Sequence, residues 1–312
     1  MKLFGLTFTY NEEAMIPYVI PYLKRMGFNK LIVYDNQSTD NTVKLLKQES
    51  FIEIRTLNTN GSKSNKSIIE KKNEVWKEFK KYTENEDVWM FISDFDEVVY
   101  KKDFKRELEK YSKLGYNYLN QDMFETISES FPPINGKLLH ENVSGGNFWG
   151  STCTGGCKMT LFKINDFERI CYVPGAHRVT VNMNKQSKSL SSCGFKSFHI
   201  KYIDKEYCLK RKNLAKMRRG PSDKLHGFGK QYEISDSNFL TMFDEKLKKA
   251  MKISDYLNGN NNGDDGSKRI DVSYRDSNSM SRLITMGYAS SLNCKKLIPK
   301  IIKKKTIIRK IK

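Results

Sequence analysis

At 312 residues, with 38% hydrophobic and 12% aromatic content, the chain is long enough to bury a sizeable core and too apolar to be disordered. No apolar run approaches the roughly 20 residues of a membrane-spanning helix, and the opening MKLFGLTFTYNEE meets Asn11 and acidic residues too early for a signal peptide, so a soluble protein of the cytoplasm is predicted. A net charge of +19 favours anionic partners, such as nucleic acid, anionic lipid or nucleotide diphosphates, without choosing among them.

In chain order, KLFGLTFTY reads as a buried strand. NEEAMIPYVIPYLKRMG then has carboxylates in its first turn, apolar residues at helical spacing and Gly27 as a stop. NKLIVYDNQSTDNT is a second strand running into a polar turn, NTVKLLKQE a short helix and FIEIRTLN a third strand. A helix at about 68–83 precedes DVWMFIS, a fourth strand that delivers DFDE. Such alternation is the pattern of a parallel sheet flanked by helices, in which ligands sit outside the carboxyl ends of the strands. The turns TYNEE, DNQSTDNT and DFDE therefore share one rim. Further on, YNYLNQDMF, CKMTLFKI, ERICYVPG and SFHIKYI are strand-like, and the text beyond 203 turns helical and basic. NGNNNGDDGSK (258–268) is the clearest linker. Six cysteines lie at 153, 157, 171, 193, 208 and 294, without a second Cys/His pair at zinc spacing, so reduced packing thiols are expected.

Two aspartates one residue apart at a strand end, Asp94 and Asp96, can aim carboxylates at a hard divalent ion that also holds substrate phosphates. An acidic turn capping the next helix is the plainer alternative. Asp35 ends a strand where it could accept a hydrogen bond from a nucleobase or ribose, while Ser38, Thr39 and Asp40 suit a tight turn into a helix.

TYNEE, IVYDNQSTDNT and a D-x-D after an apolar strand, in that order through about residues 1–100, resemble the nucleotide-sugar-dependent glycosyltransferases of family 2 and the related family 92. The likeness continues through NQDMFETISESFPP, GGCKMTLFKI, PGAHRV and SFHIKY to LKRKNLAKMRRG, in the manner of a bacterial and viral branch of that superfamily. The resemblance implies a GT-A fold, an α/β Rossmann-like nucleotide-diphospho-sugar transferase with a mixed central sheet and a C-terminal helical extension. It implies a GT-A domain over 1–205, with a nucleotide-binding half at 1–100 and an acceptor half at 101–205. A basic helical extension (206–257), a polar loop (258–268) and a basic tail (269–312) follow.

The resemblance also implies site residues. Thr9 would line the nucleotide pocket, with Asn11 and Glu12 at its edge and Asp35 on the base. Asp94 would face the ribose or metal, and Asp96 would be the principal ligand of a divalent metal, Mn2+ or Mg2+. His199 is a further metal candidate, a packed strand histidine being the alternative. Asn36-Gln37 stands where an Asp-Gly pair is commoner, which removes a second acidic contact. The implied activity is transfer from a nucleoside-diphosphate sugar, UDP-sugar favoured, to a hydroxyl of a glycan, lipid or protein, with inversion. Inversion needs a base. Asp122, Glu125, Glu129 and His177 are the available groups, and nothing in their spacing selects one.

Two other readings compete. MFISDFDEVV also fits the nucleophile motif of haloacid-dehalogenase-type phosphatases, with the Asp94 carboxylate attacking phosphorus and Asp96 as acid/base, although three strand–helix pieces precede it here. A basic nucleic-acid-binding protein would suit the charge, but no such motif is present and carboxylates crowd the rim, so no nucleic acid is expected. The tail LIPKIIKKKTIIRKIK mixes Ile with Lys as a peripheral contact with anionic membrane would require, a solvated basic tail being the alternative.

Overall fold

KLFGLTFT forms strand β1 (Lys2–Thr9). In the computed structural model β1 lies between parallel neighbours β2 (Lys30–Asp35) and β4 (Val88–Ile92), with β3 (Ile52–Thr56) outside β2. The structure describes residues 1–59, 61–119, 121–143, 145–151, 160–172, 179–183, 189–190 and 194–257. His177, four of the cysteines (153, 157, 193 and 294) and the segment 258–312 lie outside the described residues. The other two cysteines, Cys171 and Cys208, are buried.

Period-two alternation splits the β1–β4 core between two layers. Leu3, Leu31, Val33, Trp89 and Phe91 face helix α1 (Ile16–Met26), while Phe4, Leu6, Ile32, Tyr34, Met90 and Ile92 face Trp76 and Phe79 on the other side. The latter pair belongs to a 3-10 helix (Val75–Tyr82) that continues α3 (Asn65–Glu74), a helix capped by Ser64, so the predicted helix at 68–83 starts earlier and changes pitch midway. Gly27 ends α1 in the left-handed region at φ 72°. Gly5 permits close approach of β1 and β2, since a Cβ there would meet Leu31 Cδ1 at 2.5 Å.

α1 begins at Ile16, not at Asn11 as its sequence suggests. Asn11 has φ 52°, and the following residues are committed to the turn after β2. That turn leads into α2 (Thr42–Leu46).

The sheet continues beyond β4 with β9 (Leu161–Lys163), which runs antiparallel, then β6 (Tyr118–Leu119) and β12 (Ser189–Leu190), seven strands among the described residues. A second sheet has the order β14-β8-β7-β13-β5, from Met251–Lys252, Gly145–Ser151, Asp122–Ser128, Lys196–Ile203 and Glu97–Tyr100. β10 (Phe167–Tyr172) and β11 (Val179–Met183) form a separate antiparallel pair. Asp94, Phe95 and Asp96 are thus the joint between the two sheets, since β4 ends in one and β5 begins the other.

Helix α4 (Phe104–Lys113) precedes the second sheet's long strands, and a short turn of helix, α5 (Leu139–Asn142), lies between β7 and β8. After β13 come α6 (Lys205–Met217), α7 (Pro221–Leu225), α8 (Asp236–Lys248) and α9 (Ile253–Leu257). Ile127, Tyr202, Cys208, Phe239 and Phe243 bury together, so the basic helix α6 is anchored on β7, β13 and α8. Among the described residues no helix is long and apolar enough to cross a membrane.

Candidate active site

The carboxyl ends of β1, β2 and β4 lie side by side, because Thr9 pairs with Asp35 and Leu6 with Ile92. The first turn of the rim is held by the second. Asn11 N donates to Ser38 Oγ at 2.9 Å, Thr39 N donates to Asn11 Oδ1 at 2.8 Å, and Glu12 N donates to Thr42 Oγ1 at 2.8 Å. Asn11, expected at the nucleotide's edge, spends its side chain on Thr39. Asp35 is buried and accepts from Ser38 N at 3.0 Å and Ser38 Oγ at 2.5 Å, one bond on each oxygen. Each oxygen keeps a lone pair for another donor.

Asp94 and Asp96 turn to opposite sides. Asp94 Oδ1 accepts from Lys72 Nζ at 3.2 Å, and Lys72 itself is only 2% exposed. Asp96 faces the second sheet. Its backbone carbonyl accepts from Ile200 N at 2.7 Å, and its Oδ2 lies 3.6 Å from His199 Nε2 and 3.2 Å from Arg211 Nη2. The same guanidinium nitrogen reaches Glu12 Oε1 at 2.8 Å, so α6 bridges the ends of β1 and β4.

Burial works against the charge of Asp96, but His199 and Arg211 outweigh it and hold the carboxyl below the usual carboxylate range. For Glu12 burial wins over Arg211, and with Asp96 nearby its carboxyl is raised to about 7.

His199 stands opposite Glu97 on β5 and Glu125 on β7. Its Nδ1 is 3.8 Å from Glu125 Oε1. Glu125 is 2% exposed and also meets Lys201 at 3.3 Å and Lys246 at 2.8 Å. Burial opposes its charge, yet the two lysines and His199 keep the carboxyl below its ordinary value. A carboxylate held this firmly as an anion is a poor proton acceptor.

The remaining base candidates are placed apart. Asp122 pairs with Lys196 at 3.2 Å, three residues from Glu125 and so about 10 Å along β7. Glu129 is exposed just past the other end of that strand, where its carbonyl accepts from Lys205 N at 3.0 Å.

Seven buried side-chain polar atoms among the described residues lack a hydrogen-bond partner. Five of them belong to this rim: Thr9 Oγ1, Glu12 Oε2, His199 Nδ1, Tyr207 OH and Arg218 Nη2. Native interiors leave few such groups unmatched, and a cluster of them marks a place where a ligand supplies partners. Tyr10 and Lys72 were not singled out by the sequence, whereas Arg211 and Arg218 stood among Lys210, Arg211, Lys212, Lys216, Arg218 and Arg219, a cationic run some of which could cover a diphosphate and the rest of which could be solvated. The basic run 210–219 was visible, but only helix register shows that Arg211 points at Asp96.

No protein-family profile matches the chain, and neither does any curated protein. Among solved structures, S. aureus TarS 1–349 in complex with UDP-GlcNAc aligns at 16% identity over 70% of this chain and 66% of that one, with a TM-score of 0.35. A longer S. aureus TarS structure aligns at 13% identity over 70% and 39% of the two chains, with a TM-score of 0.36. TarS 1–349 in complex with UDP aligns at 18% identity over 41% and 36%, with a TM-score of 0.27. The chain therefore spans less than two thirds of the TarS chains it is similar to, and its functional reading rests on the residues of the rim.

Proposed function

We propose that the chain is a glycosyltransferase that moves a sugar from a nucleoside-diphosphate sugar, with UDP favoured, to a hydroxyl of a glycan, lipid or protein acceptor, with inversion. The observation that carries this reading is the convergence on one rim of Asp35, Asp94, Asp96 and His199 with five unpartnered buried polar atoms. Asp35 has lone pairs free for a base or ribose.

The donor set fits a divalent cation, Mn2+ or Mg2+. A carboxylate oxygen and an imidazole nitrogen 3.6 Å apart can both reach one ion at about 2.1 Å. Asp96 and His199 would hold it, and Asp94, turned to Lys72 in the free protein, would have to leave that lysine to join them. When bound, the ion would neutralise charge developing on the diphosphate leaving group. Arg211 stabilises the Asp96 carboxylate in the free protein. Glu125 lies behind the His199 ring, its Oε1 3.8 Å from Nδ1.

Titration calorimetry of UDP tests the reading, run with Mn2+, without metal, and on Asp96→Ala, with GDP in parallel. Metal-dependent binding is expected in the wild type, weakened about 100-fold or lost in the variant. Absence of binding by either nucleotide in the presence of metal would overturn it.

A further inference from the structure

The nucleotide end of the rim carries a device supplied from far along the chain. The guanidinium carbon of Arg218, the residue after α6, lies 3.1 Å from the ring centroid of Tyr10. Its Nε donates to Gly61 O at 3.0 Å, and its backbone carbonyl accepts from Lys63 N at 2.7 Å. The loop after β3 is therefore strapped to the end of α6.

Asn36, which follows Asp35, joins the same group. Its N donates to Thr9 O at 2.9 Å, and its side-chain amide donates to Ser62 O at 3.2 Å. Tyr10, Asp35, the 61–63 loop and Arg218 thus enclose one spot. Burial works against the charge of Arg218, while Tyr10, Asp35 and Glu12 act to keep it. With Nε satisfied and the fork stacked on a ring, Nη2 is left buried without a partner.

Resting on the glycosyltransferase reading above, we propose that Arg218 is a specificity-determining residue that donates from Nη2 to a carbonyl oxygen of the nucleobase, while Asp35 accepts from the neighbouring ring N–H. A donor beside an acceptor reads an imide edge. Uracil offers it as N3–H with a flanking carbonyl, and guanine as N1–H with O6. Cytosine and adenine invert both groups: a ring nitrogen lone pair faces the carboxylate, and an amino group faces the guanidinium. Both mismatches leave charged groups unpaired in a buried place, which sites of this kind reject strongly. Arg218 is well suited to the task because its backbone and Nε fix the fork independently of the ligand.

The experiment is calorimetry of UDP, GDP, CDP and ADP with Mn2+ on the full chain, on Arg218→Gln and on Arg218→Lys, with thermal melts of each free protein. Lysine keeps the charge but not the fork, so it serves as the better-folded second variant. The wild type is expected to prefer UDP or GDP over CDP and ADP by about 100-fold, the better of the two naming the base. Both variants are expected to weaken that nucleotide at least about tenfold and to leave CDP within about twofold. A UDP to CDP ratio unchanged in both variants, or CDP bound as tightly as UDP by the wild type, would overturn the role of Arg218 while leaving the glycosyltransferase reading intact. No nucleotide bound by the wild type would overturn both.

Discussion

Glu12 holds its proton further into the neutral range than a free glutamate does, because burial outweighs the arginine beside it. A carboxyl raised from 4.5 to about 7 on folding contributes stability that is full below pH 4.5 and is lost as pH rises through 7. The loss is about 3 kcal/mol at most. His140 acts in the opposite sense. Burial lowers its imidazole from 6.5 to about 4, so stability rises between those values as the unfolded chain sheds its proton. The two slopes oppose each other up to pH 6.5, and a difference measurement separates them. Urea unfolding without nucleotide or metal, from pH 4 to pH 8, is expected to show wild type losing stability relative to Glu12→Gln by up to about 3 kcal/mol across the range. Parallel curves would show that Arg211 keeps Glu12 ionised throughout.

The same scale shows which residues the sequence exposes. Asp35, Asp94, Asp96 and His199 are legible because each ends or sits in an apolar strand, where a charge needs a reason. Tyr10 and Lys72 are not, since a tyrosine in a turn and a lysine in helical text look like ordinary surface until their partners are known, and Arg218 is visible only as one of a basic run whose members the sequence does not tell apart.

At the scale of elements, the strands and helices of the first half follow the pattern of the text, and their differences have local causes. α1 starts late because Asn11, at φ 52°, ties the chain to Thr39. The strand pieces of the second half are equally visible, but their sheet is not. β13 joins β5 and β7 through pairs such as His199 with Glu97 and with Glu125, some 100 and 74 residues apart, and no local signal encodes that register. α6 depends on one cap. Asp204 has φ 69° and its carboxylate accepts from Tyr207 N at 2.8 Å, closing the first turn of the helix that carries Arg211 and leads to Arg218. Asp204→Ala is expected to cost about 1–2 kcal/mol in urea unfolding, and Asp204→Asn appreciably less. Equal losses from both would mean that the cap hydrogen bond is not what sets the start of α6.

Over the whole molecule the two sheets meet at Asp94–Asp96, and the helices after β13 close over that joint, so residues distant in sequence must converge for the site to exist. Glu125 is the charge on which this convergence turns. It sits on β7, faces His199 and Lys201 on β13, and takes Lys246 from α8. Lys201 and Lys246 are 42% and 29% exposed, so each can reach water if the carboxylate is neutralised, and the stability cost of Glu125→Gln is expected to stay near 1–2 kcal/mol. The effect on the site is expected to be larger. A histidine that binds metal relies on the carboxylate behind it to fix its ring and raise its basicity, and loss of such a partner typically weakens metal binding 10–100-fold. Mn2+ titration in the presence of UDP should therefore show affinity reduced about tenfold or more in Glu125→Gln, whereas metal-free nucleotide binding stays unchanged. If instead both fall together in proportion to lost stability, Glu125 serves only to join α8 to the second sheet, and His199 would have to be oriented by packing alone.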